Sequence, residues 1–361
     1  MILDDFFPNL LSGFRIAEYN RYLQTFTGTR ILSTSPDFEK NYAEYAEVHP
    51  QYSRSVGRFD PGKSVRGKLA YAVFINNIHA YLPTLQKEGI PFVFTLYPAG
   101  GFWLDQPESD RKLRAVMESP QFRKVIVTQK ISREYLTGNG FCDESSIEFI
   151  YGGVFPSDYF REHQVEKRPF GAGKATLDIC FVAHKYMEGG IDKGYDVFIA
   201  VARRLAKAAP EFRFHVVGNF DTGDADISGI EDSVVFHGTQ LLPFFPGFYA
   251  GMDIILSPNT PFRLYPGNFD GFPTGCCIEA GLCGVAVFCT DELGLNIAFR
   301  DREDIVLVPR NIEDIAEAVL EYHREPEKLE RLAERGRRSF NEVFSVDAQM
   351  GQRMKILGQF L

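Results

Sequence analysis

Short apolar runs alternate with longer amphipathic stretches along this chain, and the alternation starts twice. Continuous apolar runs suit strands covered on both faces, and the stretches between them supply the covering helices, so the pattern predicts parallel sheets in an α/β fold. In the first half the strand candidates are "MILDDFF", "RILST", "YAVFI", "PFVFTLY", "KVIVT" and "SIEFIY", separated by helical patterns such as "GFRIAEYNRYLQTF", "HAYLPTLQKEG" and "DRKLRAVME". The second half restarts with "LDICFVA" and continues through "FRFHVVG", "VVFHG", "DIILSP", "VAVFCTD" and "DIVLVP". Between the two series, "PSDYFREHQVEKRPFGAGKA" is polar, marked by Gly and Pro and without apolar period, which predicts a linker. The 361 residues therefore divide into two Rossmann-like, doubly wound domains, 1–165 and 166–340, followed by a helical tail at 341–361. Such sheets bind ligands at the carboxyl ends of their strands, so two of them frame a cleft.

Composition narrows the partners. A formal charge of −9 argues against a nucleic-acid surface or a polybasic membrane face over the whole molecule, and leaves room for weak peripheral membrane contact through a local patch. Six cysteines, with Cys276 beside Cys277 and no paired CxxC, suit neither a disulfide framework nor a zinc site; they are expected as reduced thiols, with no metal. The start "MILDDFFPNLLSG" is acidic where a signal peptide is basic, and no apolar run approaches the roughly 20 residues of a membrane span. The expected location is cytoplasmic, with the inner face of the membrane also open to the chain.

The stretch "DGFPTGCCIEAGLCG", 270–284, carries the most chemistry. It follows the strand "DIILSP" and reaches Thr274 and Gly275, where a helix is predicted to begin with free N–H groups and a positive dipole end, an anion site. Glu279, about one turn in, suits ribose hydroxyls better than phosphate, and Asp270 suits a hydroxyl-rich group on the other side. Together they fit a nucleoside diphosphate sugar. The alternative is an acid-flanked turn before a small-residue helix packed on the sheet.

"DGFP…IEAGLCGVAVFCTD" resembles the acidic signature of family 4 retaining glycosyltransferases, two-domain enzymes of GT-B architecture, with Asp270 standing for the first Glu and one position more between the acids. "ICFVAHKYMEGGIDKGYDVFIAVARRLAKAAPEFRFHVVG" resembles that family's strand, basic loop, K-G helix start and next strand. It maps the phosphate lysine onto Lys193, and the family's Arg onto His184, beside Lys185. The likeness covers roughly residues 125 to 350. It implies sugar transfer from a nucleotide-sugar donor to a sugar, glycan or glycolipid acceptor, with retention and without a metal or other cofactor. Lys193, His184, Lys185 and the amides of Gly275, Cys276 and Cys277 would stabilise the leaving phosphate. Asp270 would orient the donor sugar, and the tail would be free to return to the first domain. On the acceptor side the resemblance points to Gly13 in "FFPNLLSGF" and to Tyr97, which stands where the family has a His; His79 in "NNIHAY" is a further candidate for lining the cleft.

Two other patterns compete. "GRFDPGKS" at 57–64 satisfies the letters of a P-loop, but Pro50 and the lack of an apolar run before it deny the required strand, and Pro61 removes an amide from the nest. "DADISG" at 224–229 copies the start of a calcium loop and holds a D-x-D, yet Val235 stands where the bidentate Glu belongs. The other readings kept open are a non-catalytic nucleotide-sugar scaffold, an NTPase and a phosphate-dependent sugar phosphorylase.

Overall fold

A computed structural model describes Met1–Leu361. The chain forms two compact units, one of Met1–Pro156, Tyr265–Gly271 and Val346–Leu361, the other of Ser157–Leu264 and Phe272–Ser345.

The first unit is built on β1 (Ile2–Asp4), β2 (Ile31–Ser33), β3 (Val56–Arg58), β4 (Ala70–Val73), β5 (Phe92–Leu96), β6 (Phe122–Val127) and β7 (Ile147–Phe149). They form one parallel sheet in the order β3-β2-β1-β4-β5-β6-β7. Every residue of β4 ("AYAV") and β5 ("FVFTL") is buried, which is what an unbroken apolar run in a parallel sheet requires. Its helices are α1 (Gly13–Thr25), α2 (Phe38–Val48), the single turn α3 (Pro50–Ser53), α4 (Ile75–Glu88), α5 (Pro107–Met117) and α6 (Lys130–Gly138). Strand β3 is a correction to the sequence reading, which expected none before the "GRFDPGKS" loop. It is a three-residue edge strand with only Val56 buried, too short to give an apolar run.

The second unit begins with α7 (Ser157–Glu162) and has the strands β8 (Leu177–Val182), β9 (Phe212–Val217), β10 (Val234–Gly238), β11 (Ile254–Ser257), β12 (Ala286–Cys289) and β13 (Val306–Leu307). Their parallel order is β10-β9-β8-β11-β12-β13. The helices are α8 (Tyr195–Ala208), α9 (Phe245–Gly251), α10 (Gly275–Leu282), α11 (Ile312–Arg324) and α12 (Pro326–Phe344). The chain passes between units at Pro156–Ser157, ahead of the expected 165–166 boundary. The polar stretch is held by charge rather than by an apolar period. Lys174 pairs with Asp178 at 2.8 Å and Asp253 at 2.7 Å, and the Phe170 amide donates to Asp253 at 3.0 Å.

The chain ends in α13 (Val346–Gly358), part of the first unit. On its inner face, among Val346, Met350, Ile356 and Leu357, lies Arg353, fully buried 3.9 Å from the equally buried Glu18 of α1. No helix is long and apolar enough to cross a membrane.

In each sheet the strand order reverses at one place, between β1 and β4 in the first unit and between β8 and β11 in the second. Loops leaving neighbouring strands there diverge to opposite faces and open a crevice at the carboxyl edge.

Candidate functional site

At the crevice of the second unit, the loop leaving β8 runs through Gly189 and Gly190, φ 64° and 59°, to Gly194 at φ 74°. A Cβ on Gly190 would fall 2.4 Å from the Phe220 ring, and one on Gly194 would fall 2.0 Å from the Pro258 carbonyl oxygen. The Thr260 amide also donates to the Asp192 carbonyl at 3.1 Å. The loop is thus pressed against the segment leaving β11, and Lys193 is fixed by the glycine that follows it. Its ammonium lies 3.9 Å from the buried Asp192 carboxylate and 5.2 Å from the ring centre of Tyr186, an exposed aromatic packed edge-on to His184 at 4.8 Å. Gly194→Ala should cost about 1–3 kcal/mol through the left-handed backbone and the carbonyl clash, read as a lower urea midpoint.

The segment after β11 leads into α10. Thr274, its N-cap, makes no capping bond; its hydroxyl instead faces the Ser257 hydroxyl at 3.3 Å and the Cys276 thiol at 3.2 Å. The Ile278 amide bonds the Thr274 carbonyl, while those of Gly275, Cys276 and Cys277 find no acceptor in the chain. Three unanswered donors at the positive end of a helix make an anion site. Lys193 sits on the loop leaving β8, which is pressed against the segment leaving β11, and that segment runs on into this helix terminus. The Cys276 thiol is pushed well up, first by its contact with the Cys277 thiol and then by burial.

Glu279, one turn in, is half-buried, and its carboxylate makes no hydrogen bond or ion pair within the chain. Burial pushes it up to about 8, with the Cys276 thiol adding to the rise. The groups around it stay neutral: burial drives the Cys283 thiol up to about 12 and the Tyr249 phenol well above its usual range. In the free protein this shift favours the protonated carboxyl, so its effect is a stability that falls as pH rises from the usual carboxyl range through about 8, then levels.

Lys193, His184, Thr274, Gly275, Cys276, Cys277 and Glu279 all lie in the second unit, on the segment leaving β8, the segment leaving β11 and the start of α10. The Lys185 ammonium is paired with Asp224, at 2.7 and 2.9 Å, and its backbone is bound to Asn219, so it clamps two loops. The same pairing uses Asp224 of the D-x-D, while Asp226 is paired with Arg203. Asp270 lies in Tyr265–Gly271, which belongs to the first unit. The Leu104 amide donates to the Gly267 carbonyl at 2.9 Å, and Tyr265 packs on Trp103 at 5.0 Å.

In the first unit, Gly13 opens α1 beside Phe14. Tyr97 is buried, donates to Glu18 at 3.1 Å and touches the Phe14 and Phe74 rings, so it is a wall rather than a free group. His79 sits further along α4, where burial, then Arg111 and Lys112 of α5, lower its pKa. The "GRFDPGKS" loop ends on β4 with no helix after Ser64, and Lys63 pairs with Asp60 at 3.3 Å in solvent. The sequence reading missed Tyr186, although an aromatic between two expected basic positions was a visible signal.

Comparison with known proteins bears on the fold and on the second unit. Residues 178–325 match the family model for group 1 glycosyl transferases. Anabaena Alr3699/HepE in complex with UDP and glucose has a similar structure, with TM-score 0.69, 16% identity and coverage of 99% of this chain and 98% of that one. Sucrose-phosphate synthase from Thermosynechococcus elongatus gives 0.63 at 15% identity, covering 99% and 98%. A putative UDP-N-acetylglucosamine 2-epimerase from Listeria monocytogenes gives 0.60 at 11%, covering 99% and 96%. The fold is that of GT-B glycosyltransferases, two parallel-sheet α/β units. A search of the curated proteins found no match.

Proposed function

We propose that this protein is a glycosyltransferase of the family 4 retaining type, moving a sugar from a nucleoside diphosphate sugar to an acceptor hydroxyl. The observation that carries the reading is the Lys193 loop packed on the segment that leads to the unanswered amides of Gly275, Cys276 and Cys277, one turn before a carboxylate that has no partner. The match of residues 178–325 to group 1 glycosyl transferases supports it. Negative charge grows on the leaving β-phosphate in the transition state, and preorganised donors lower the barrier without reorganising. Lys193 and the α10 amides supply them, His184 adds a ring donor, and no metal enters this scheme. Glu279 accepts from the ribose hydroxyls. The acceptor is a sugar, glycan or glycolipid, and the enzyme works in the cytoplasm.

The first test is a panel of nucleotide sugars, beginning with UDP-hexoses, scored by thermal unfolding and then by transfer. A true donor at one hundred times its Kd should stabilise the protein by about 2.7 kcal/mol. Binding without turnover on any acceptor would mean a scaffold, epimerised donor an isomerase, and no binding at all would end the reading.

Glu279 supplies a second test. A carboxylate accepts hydroxyl hydrogen bonds more strongly than a neutral carboxyl, so donor binding should expel its proton. Affinity by calorimetry should then rise by up to about a hundredfold between pH 6 and pH 9, levelling above the carboxyl's value of about 8. Glu279→Gln should bind more weakly and lose the slope.

A further inference from the structure

At the crevice of the first unit, the residue after β4 is Phe74, with φ 67° and ψ 147°, backbone that almost only glycine adopts. The fold holds it there from several sides. Its amide donates to the Thr95 carbonyl at 2.9 Å, and Ala99, Gly100 and Gly101, all at positive φ, wrap over it. A Cβ on Gly100 would stand 2.3 Å from the Phe74 ring, and one on Gly101 would stand 2.0 Å from the Asn76 side-chain oxygen. The strain aims the ring at Phe14, met edge-on at 6.0 Å, and at Tyr97, at 5.6 Å.

One cation ties these rings together. The Arg15 guanidinium lies 5.4, 5.1 and 4.9 Å from the ring centres of Phe6, Phe14 and Phe74, which come from the loop after β1, the start of α1 and the loop after β4. Arg15 is itself held by Asp4 at 3.1 Å and by the Ser12 hydroxyl at 3.0 Å. Phe6 is 38% exposed, Phe14 and Phe74 are half-buried, and the half-exposed Asp5 carboxylate stands 3.6 Å from the same guanidinium. A folding core alone does not call for a strained aromatic held at the point where the strand order reverses, with open rings and a carboxylate beside it.

We propose that Phe6, Phe14 and Phe74 are the platform on which the sugar ring of the acceptor lies, with Asp5 taking one of its hydroxyls. A pyranose has one face of C–H groups, which suits aromatic rings, and a rim of hydroxyls, which suits a carboxylate; a phosphate or a bare acyl chain satisfies only one of these. The rings are fixed before binding, so little freedom is lost. This deepens the glycosyltransferase reading and rests on it, but sugar binding to the first unit is measurable without transfer.

The experiment pairs Phe6→Ala with Phe14→Leu, which keeps apolar volume but removes the ring, and with Asp5→Asn. Methyl glycosides, and the same sugars carried on lipid in detergent micelles, are the acceptors. Acceptor KM should rise about tenfold in both arms for the ring variants, with donor Kd within twofold. Saturation transfer from protein aromatic protons to sugar C–H protons should be seen in wild type and weaken in Phe14→Leu. Unchanged acceptor KM beside normal transfer overturns the platform and spares the transferase. Loss confined to the lipid arm overturns it too, because the rings would then read the acyl chain. Sugar binding that weakens in Phe14→Leu, in a protein that transfers nothing, keeps the platform and removes the transferase; neither binding nor transfer removes both.

Discussion

Lys193→Met should lower the turnover of donor-sugar transfer by about 10²–10³-fold, the scale on which single preorganised donors to developing charge act. Methionine keeps a side chain packed over Tyr186 and removes only the charge. If Lys193 serves the transition state more than the bound donor, the loss falls on kcat while donor KM moves little. Asp192 is buried and loses a cation 3.9 Å away, so a lower Tm is expected as well, and rates should be compared well below that transition. Lys63→Ala should leave transfer unchanged, since its ammonium is in solvent with Asp60. Were these two substitutions to exchange effects, with ATP hydrolysis lost in Lys63→Ala, the protein would be an NTPase.

Arg353→Met should destabilise the first unit by about 3–5 kcal/mol, the cost of leaving a buried charge without its partner. Glu18 is fully buried and accepts from the hydroxyls of Tyr22 at 3.2 Å and Tyr97 at 3.1 Å, and from Tyr71. Arg353 is the cation of that group. It also bonds the Gln349 carbonyl at 2.9 Å and side chain at 2.8 Å, and Gln349 donates to the Tyr151 carbonyl at 3.0 Å. Urea unfolding followed through Trp103, the one tryptophan of the chain, reports on this unit. Adding Glu18→Gln removes the orphaned charge, so the double variant should recover part of the loss. Equal stability of Arg353→Met and wild type would mean that the tyrosine hydroxyls alone carry the buried carboxylate.

Much of this was legible in the sequence because it rests on local patterns. Unbroken apolar runs gave the strands, and "TGCC" with Glu279 marked a helix whose first amides are open. What was not legible depends on partners far along the chain. Lys185 looked like a free cation because its carboxylate, Asp224, comes 39 residues later through the loop after β9. Tyr97 was read from its place after β5, yet its hydroxyl belongs to Glu18 on α1. Strand β3 hides in a polar stretch because an edge strand needs few buried side chains. The Glu18–Arg353 pair did leave a trace: each stands where its helix otherwise presents apolar side chains, Glu18 beside Tyr19 and Tyr22, and Arg353 between Met350 and Ile356.

Helix α13 gives the first unit an unusual place in the order of synthesis. The ribosome makes the seven strands of that unit first, then nearly the whole of the second unit, and only afterwards the helix that brings Arg353 to Glu18. At about 5–20 residues per second, the nascent first unit waits roughly 10–40 s with an acid in its interior and the apolar bed of α13 uncovered. The second unit can close while still tethered to the translation machinery, whereas the unit made first is sealed last.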